Sequence, residues 1–225
     1  MRITALLFGL AMTAFVGTTA VAQQTTFYTV TYIEVAPTAS GQAANLLKTY
    51  RDAARKDQGA ARVDIGQRID RANQFVVIAA WADQKAYETH VGTTHAKALF
   101  TALAPLDVAP PDTRQHNALA VGDIKDQRGA NVTAVTHVDV IPPQKDNGAA
   151  AVKQLAEDSR KQNGNLRFDV WQQTNRPNHF TVVETWTNRT TFDAHYALAQ
   201  TRDFRTKLAA MTGALYDERL YRLLD

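Results

Sequence analysis

The chain contains no cysteine. That absence excludes disulfides, thiolate metal ligands and a cysteine nucleophile, so stability must come from packed apolar cores. Charge of one sign is never concentrated: 25 Lys and Arg are interspersed with 22 Asp and Glu, a net of +3, which argues against a nucleic-acid partner. The nucleotide and hydrolase signatures G-x-G-x-x-G, P-loop and G-x-S-x-G are missing, so no nucleotide, flavin or serine-hydrolase chemistry is suggested. His90 and His95 stand five apart rather than at the three or four of a helical ligand pair, so neither a metal site nor a cofactor is expected. Beyond residue 22 no apolar run approaches the ~20 residues of a membrane span.

What is present begins with a leader. Residues 1–22, "MRITALLFGLAMTAFVGTTAVA", combine a basic start at Arg2, a short apolar run and a small-x-small site at Ala20-Val21-Ala22. This is the pattern of a cleavable secretory signal, and it implies a periplasmic or secreted mature protein with no membrane span. The whole chain is 45% hydrophobic and 21% charged, an ordinary globular balance.

The strongest feature is a repeat. Shifting the chain by 105 positions aligns residues 30–119 with 135–224 without a gap, with roughly a quarter of the pairs identical. "VTYIEVAP" lies over "VTHVDVIP", "RKDQGAARVDIGQR" over "RKQNGNLRFDVWQQ", "DRANQFVVIAAW" over "NRPNHFTVVETW", and "WADQKAYETH" over "WTNRTTFDAH". A period this long is a whole small domain rather than a solenoid unit.

Within the first copy, residues 29–35 alternate as a strand ended by Pro37, and 39–57 carry Ala43, Leu46, Leu47, Tyr50 and Ala54 at helical spacing before Gly59. Residues 62–69 and 75–81 read as a hairpin turning through "DRAN". Asp83 is a candidate N-cap for a helix with Tyr87, His90 and Val91 on one face; a break at Gly92 leads to a second short helix, and a short element at 114–121 closes the copy. The order β-α-β-β-α-β is ferredoxin-like. The fold expected is therefore α+β, two tandem ferredoxin-like domains at 23–121 and 132–225 joined by a linker at 122–131, with their sheets closing into one intrachain α+β barrel.

Strand parity separates candidates for chemistry from core. Ile33, Val35, Val63 and Ile65, with Val138, Val140, Phe168 and Val170, should face the helices. The opposite face carries Tyr32 and Glu34, His137 and Asp139, and the pairs Arg62 with Asp64 and Arg167 with Asp169, and it should look into a polar inter-sheet space. The Arg–Asp pairs are either structural ion pairs or substrate-orienting groups. His90 and His195, each nine residues after Trp81 or Trp186, are either satisfied core groups or pocket-lining bases beside Tyr87 and Phe192.

The combination of F-x-x-x-x-x-W entering a helix with "YETH" or "FDAH", a preceding "RFDV" and a closing "YDERL" resembles the antibiotic biosynthesis monooxygenase family, in tandem. The resemblance implies a dimeric α+β barrel and includes cofactor-independent oxygenases of phenols and quinols, haem-degrading enzymes and proteins without assigned activity. It implies that Trp81 and Tyr87, with Trp186 and Phe192, line a pocket. Haem-degrading relatives have an iron-binding histidine where Phe100 and Arg205 stand here, which turns the reading away from haem. The expectation is a cofactor-free monooxygenase of an electron-rich phenol or quinol with His90, His195 or His137 as base; the alternative is a non-catalytic barrel that binds a small aromatic ligand. Either could associate further as a homo-oligomer.

Overall fold

The computed structural model describes residues 26–127, 129 and 132–225. The expected leader lies outside the described residues, and the expected linker falls only partly among them. The first half comprises β1 (Phe27–Val35), α1 (Ser40–Ala54), β2 (Ala60–Arg68), β3 (Gln74–Trp81), α2 (Gln84–Val91), α3 (Thr94–Leu103) and β4 (Asp107–Ala120). The second repeats the order with β5 (Val132–Asp139), α4 (Lys145–Arg160), β6 (Asn165–Gln173), β7 (His179–Trp186), α5 (Arg189–Ala197), α6 (Ala199–Ala209) and β8 (Asp217–Leu223). Among the described residues no helix is long and apolar enough to cross a membrane.

The eight strands form one closed barrel in the order β1-β3-β2-β8-β5-β7-β6-β4. Closure is reciprocal: β4 pairs with its own β1 and reaches β6, while β8 pairs with its own β5 and reaches β2. Each half thus covers the sheet edges of the other, which removes the exposed ladders that a lone four-stranded sheet would leave. The closing strand β4 has 14 residues, longer than the short element its sequence suggests. Pro110 and Pro111 fall where the ladder to β1 shifts register between Tyr32 and Glu34, so a bulge absorbs two residues that cannot donate hydrogen bonds.

Local chemistry sets the element ends. Asp83 caps α2 by accepting from the Ala86 N–H at 2.8 Å, and Asn188 caps α5 by accepting from the Thr191 N–H at 2.9 Å. Gly59 and Gly164 take φ of 84° and 81°, the left-handed turn after α1 and α4 that favours glycine. The two hairpin asparagines do matching work: Asn73 and Asn178 donate to the carbonyls of Val35 and Val140, pinning each β-hairpin to the end of the first strand of its domain.

Three apolar cores result. Ile33, Val35, Val63, Ile65 and Trp81 pack under α1 and α3, and Val138, Val140, Phe168, Val170 and Trp186 pack under α4 and α6, as the strand parity requires. The third core fills the barrel itself with Tyr28, Val30, Val76, Ile78, Val135, Trp171, Val183 and Tyr221. The expectation of a polar interior is corrected here: the barrel is filled largely by apolar side chains, with Tyr28 stacked on Trp171 at 4.5 Å, and beside that pair His116 and Thr181 are fully buried and satisfy one another at 2.9 Å. Val91 is likewise not on a buried face, at 46% exposure.

Candidate active site

The face of α1 bearing Gln42, Asn45, Leu46, Thr49, Tyr50 and Ala53 opposes the face of α3 bearing His95, Ala98, Leu99 and Ala102. These spacings place each set along one helical stripe. Between them lies a largely apolar cleft of ≈ 560 Å³, ample for a small aromatic molecule. Gln42, Asn45 and Thr49 are polar groups on its α1 side, and two further polar groups, Tyr50 and His95, lead to the same buried network.

In that network the Tyr50 hydroxyl stands 2.8 Å from Nε2 of His90, and Nδ1 of His90 stands 2.6 Å from Oδ2 of Asp57. The tautomer that satisfies both contacts has Nδ1–H donating to the carboxylate and Nε2 accepting from the phenol. Nε2 of His95 donates to the same Asp57 oxygen at 3.0 Å. Asp57 sits on the turn that Gly59 completes after α1, His90 on the last turn of α2, and His95 on the first turn of α3, which Thr93 caps. Burial lowers the His90 pKa, with Asp57 opposing, so the ring is a neutral acceptor at neutral pH. Burial raises the Tyr50 pKa well above its ordinary value, so its proton is held.

The second domain keeps the histidine and loses the network. His195 is buried, but the positions 105 residues after Tyr50, Asp57 and His95 are Leu155, Gln162 and Gln200. His195 Nδ1 meets Gln162 Oε1 at 2.9 Å. Its pKa is pushed down to about 4 by burial, helped by Arg205. Glu184, where the first domain has Ala79, accepts the Trp186 indole N–H at 2.7 Å instead.

Several residues expected to line a pocket serve other ends. Trp81, Trp186 and Phe192 are 1%, 0% and 3% exposed and belong to the helix-facing cores, and Tyr87 packs beside Trp81 at 5.9 Å between ring centres. Neither His90 nor His195 lines the cleft; His90 lies behind Tyr50. Arg62 pairs with Asp64, which Arg55 also reaches at 3.2 Å. Arg167 pairs with Asp169 at 2.8 Å and approaches Asp64 at 3.8 Å, so the two expected Arg–Asp pairs join one another across the halves. Tyr32 lies between the guanidinium groups of Arg114 and Arg219, each about 5 Å from its ring. Of the three expected bases, His137 lines a cavity at a mouth of the barrel. The sequence marks Tyr50 only as a helix-face position and His95 only as too far from His90 for a helical ligand pair, and it does not mark Asp57; the signal available is that all three differ between copies while His90 and His195 do not.

Comparison with known proteins agrees with this architecture. The barrel superposes on a candidate monooxygenase from Fusobacterium nucleatum with a TM-score of 0.80 at 16% identity, covering 89% of this chain and 93% of that one. It superposes equally broadly on a candidate monooxygenase from Lactobacillus acidophilus, TM-score 0.73 at 12% identity over 88% and 94% of the two chains. An anthrone oxidase-like protein gives 0.73 at 11% identity over 91% and 93%. At these identities the likeness speaks to the fold. No curated protein matches the chain. The model of the family described as antibiotic biosynthesis monooxygenase matches twice, over residues 26–102 and 131–207, and the chain therefore belongs to that family as a tandem member.

Proposed function

We propose that the protein is a cofactor-independent monooxygenase that oxidises an electron-rich phenol or quinol in the cleft between α1 and α3 of the first domain. The observation that carries this reading is the continuous line from the cleft through Tyr50 and His90 to Asp57. A phenolic substrate donating to the Tyr50 oxygen passes a proton along this line as the Tyr50 hydroxyl protonates His90, and Asp57 stabilises the imidazolium that forms. The resulting phenolate, held against the apolar side chains of Leu46, Ala98, Leu99 and Ala102, transfers an electron to oxygen. The chemistry balances without a cofactor: phenol plus O2 yields quinone plus water, one oxygen atom entering the ring and the other leaving with the hydroxyl and ring hydrogens.

The test is oxygen uptake with a panel of naphthols, anthrones and quinols, with product oxygen traced from 18O2. Substitution His90→Gln should abolish uptake, and His195→Gln should leave it intact; the reverse pattern, or no uptake with any member, defeats the assignment. A second reading is favoured by the enclosure of His90 and His195, which are 4% and 3% exposed. In that reading the cleft only binds a small aromatic ligand, and the ligand raises the melting temperature with or without oxygen while none is consumed. Export is part of the proposal, and a mature protein beginning at Gln23 in the periplasmic fraction is its check.

A further inference from the structure

Three donor atoms converge at one mouth of the barrel in a way that hydrogen bonding does not explain. His137 and Asp139 are two residues apart on β5 and share a face, and His179 is the register partner of Asp139 on β7. His137 Nε2 and His179 Nδ1 each lie 2.7 Å from Asp139 Oδ1, and the two nitrogens lie 3.3 Å from one another. Despite these distances, Asp139 Oδ1 is buried and aligned with neither ring N–H. The two facing nitrogens can share only one proton between them. The cluster of Asp57, His90 and His95 has the same composition and behaves differently, since both of its imidazoles are aligned on Asp57 Oδ2.

We propose that His137, Asp139 and His179 bind a divalent transition-metal ion through two imidazoles and one carboxylate, with its remaining coordination positions open to the adjoining cavity. Donors ~2.1 Å from one ion stand ~3.0 Å apart at right angles and ~3.4 Å apart at the tetrahedral angle. The observed separations of 2.7, 2.7 and 3.3 Å bracket the right-angle arrangement. Two imidazoles with a carboxylate select ions such as Zn(II), Fe(II) or Co(II) over Mg(II) or Ca(II). The cavity beside the triad has a volume of ≈ 550 Å³ and is lined further by Asp112, Arg114, Gln173 and Arg176. Of the two cations on the cavity lining, Arg114 is neutralised by Asp112 at 2.8 Å, and Arg176 leaves one positive charge to attract an anion beside the site. Three protein ligands beside an open cavity are the arrangement of a centre that exchanges water or an anion, whereas a structural centre closes with four. Helical spacing, on which the expectation of no metal rested, could not reveal ligands drawn from two strands.

The inference is independent of the reaction assigned to the α1–α3 cleft, and its experiment reads binding rather than turnover. Untagged full chain is titrated with Co(II) and followed by d–d absorption and calorimetry. One Co(II) per chain is expected, with His179→Gln and Asp139→Asn each weakening binding more than ~10-fold at unchanged far-ultraviolet circular dichroism, and His95→Gln retaining it. Co(II) bands that survive in the double variant His137→Gln/His179→Gln overturn the proposal. Where a variant does not fold, the wild-type chain decides alone: absence of both d–d bands and thermal stabilisation by Co(II) also overturns it.

Discussion

The Tyr50 hydroxyl lies 2.8 Å from Nε2 of His90, and this contact connects an otherwise enclosed histidine to the cleft. Tyr50→Phe breaks it while keeping the ring that fills the α1–α3 interface. Oxygen uptake with the best phenolic substrate is expected to fall ~10²- to 10⁴-fold, the usual contribution of a positioned proton-transfer group. His90 Nε2 is then left buried without its donor, at a cost of ~1–3 kcal/mol. Urea denaturation measures that loss separately, and a stability loss with unimpaired uptake would reduce the network to a structural role.

The fold was largely legible because its signals are local and occur twice. Alternation put Ile33 and Val35 under the helices and Val30 and Tyr32 inside the barrel, and Asp83 and Gly59 marked element ends through their own backbone chemistry. The candidate site was legible only at His90. Tyr50 reads as one more apolar position on a helix and Asp57 as a turn residue, and their contacts to His90 span 40 and 33 residues. Nothing periodic encodes such contacts. Divergence between copies does encode one, because Tyr50 with Asp57 becomes Leu155 with Gln162 under a retained histidine. The length of β4 was hidden for a different reason, since two prolines interrupt the alternation at a bulge that only the pairing with β1 accounts for.

The Arg167–Asp169 pair tests whether the repeated Arg–Asp motif is structural. Both side chains are 3% exposed, the Arg167 guanidinium lies 5.4 Å from the Trp171 ring centre, and Asp169 also accepts the Gly122 N–H. Arg167→Met strands a buried carboxylate and is expected to cost ~3–5 kcal/mol in chemical denaturation. The double change Arg167→Met/Asp169→Leu should recover much of that loss, because the desolvated charge goes with its partner. Ligand binding in the α1–α3 cleft should be unchanged in the double variant, as measured by calorimetry.

Gly59 and Gly164 should respond alike, because they do the same job in each copy. A Cβ on Gly59 would stand 2.6 Å from the Ala86 Cβ, and one on Gly164 would stand 2.6 Å from Thr191. Each residue also holds a positive φ. Gly59→Ala and Gly164→Ala are each expected to destabilise by ~1–3 kcal/mol or more, with the clash added to the backbone strain. Thermal denaturation checks this. Gly59→Ala should additionally lower activity, because the turn it completes holds Asp57, whereas Gly164→Ala should not.

Glu184 gives the stability a pH dependence of unusual sign for a carboxylate. It is 3% exposed on β7, with the Trp186 indole N–H at 2.7 Å and His195 Nε2 at 3.9 Å. Burial, partly offset by the Trp186 bond, pushes its pKa up to about 8 from an ordinary 4.5, so the native carboxyl is protonated where the unfolded one has ionised. Its stabilising contribution is therefore complete below about pH 4.5 and is lost as pH rises through about 8. His195 works the other way: with its pKa lowered to about 4, its contribution is present above about 6.5 and is lost as pH falls through about 4. Glu184→Gln retains an acceptor for Trp186 and cannot ionise. Relative to wild type it should gain stability progressively between about pH 4.5 and 8, up to a ceiling of ~5 kcal/mol. Urea denaturation of both proteins across that window measures the gain, and a difference that stays flat would mean that Glu184 is charged in the folded protein.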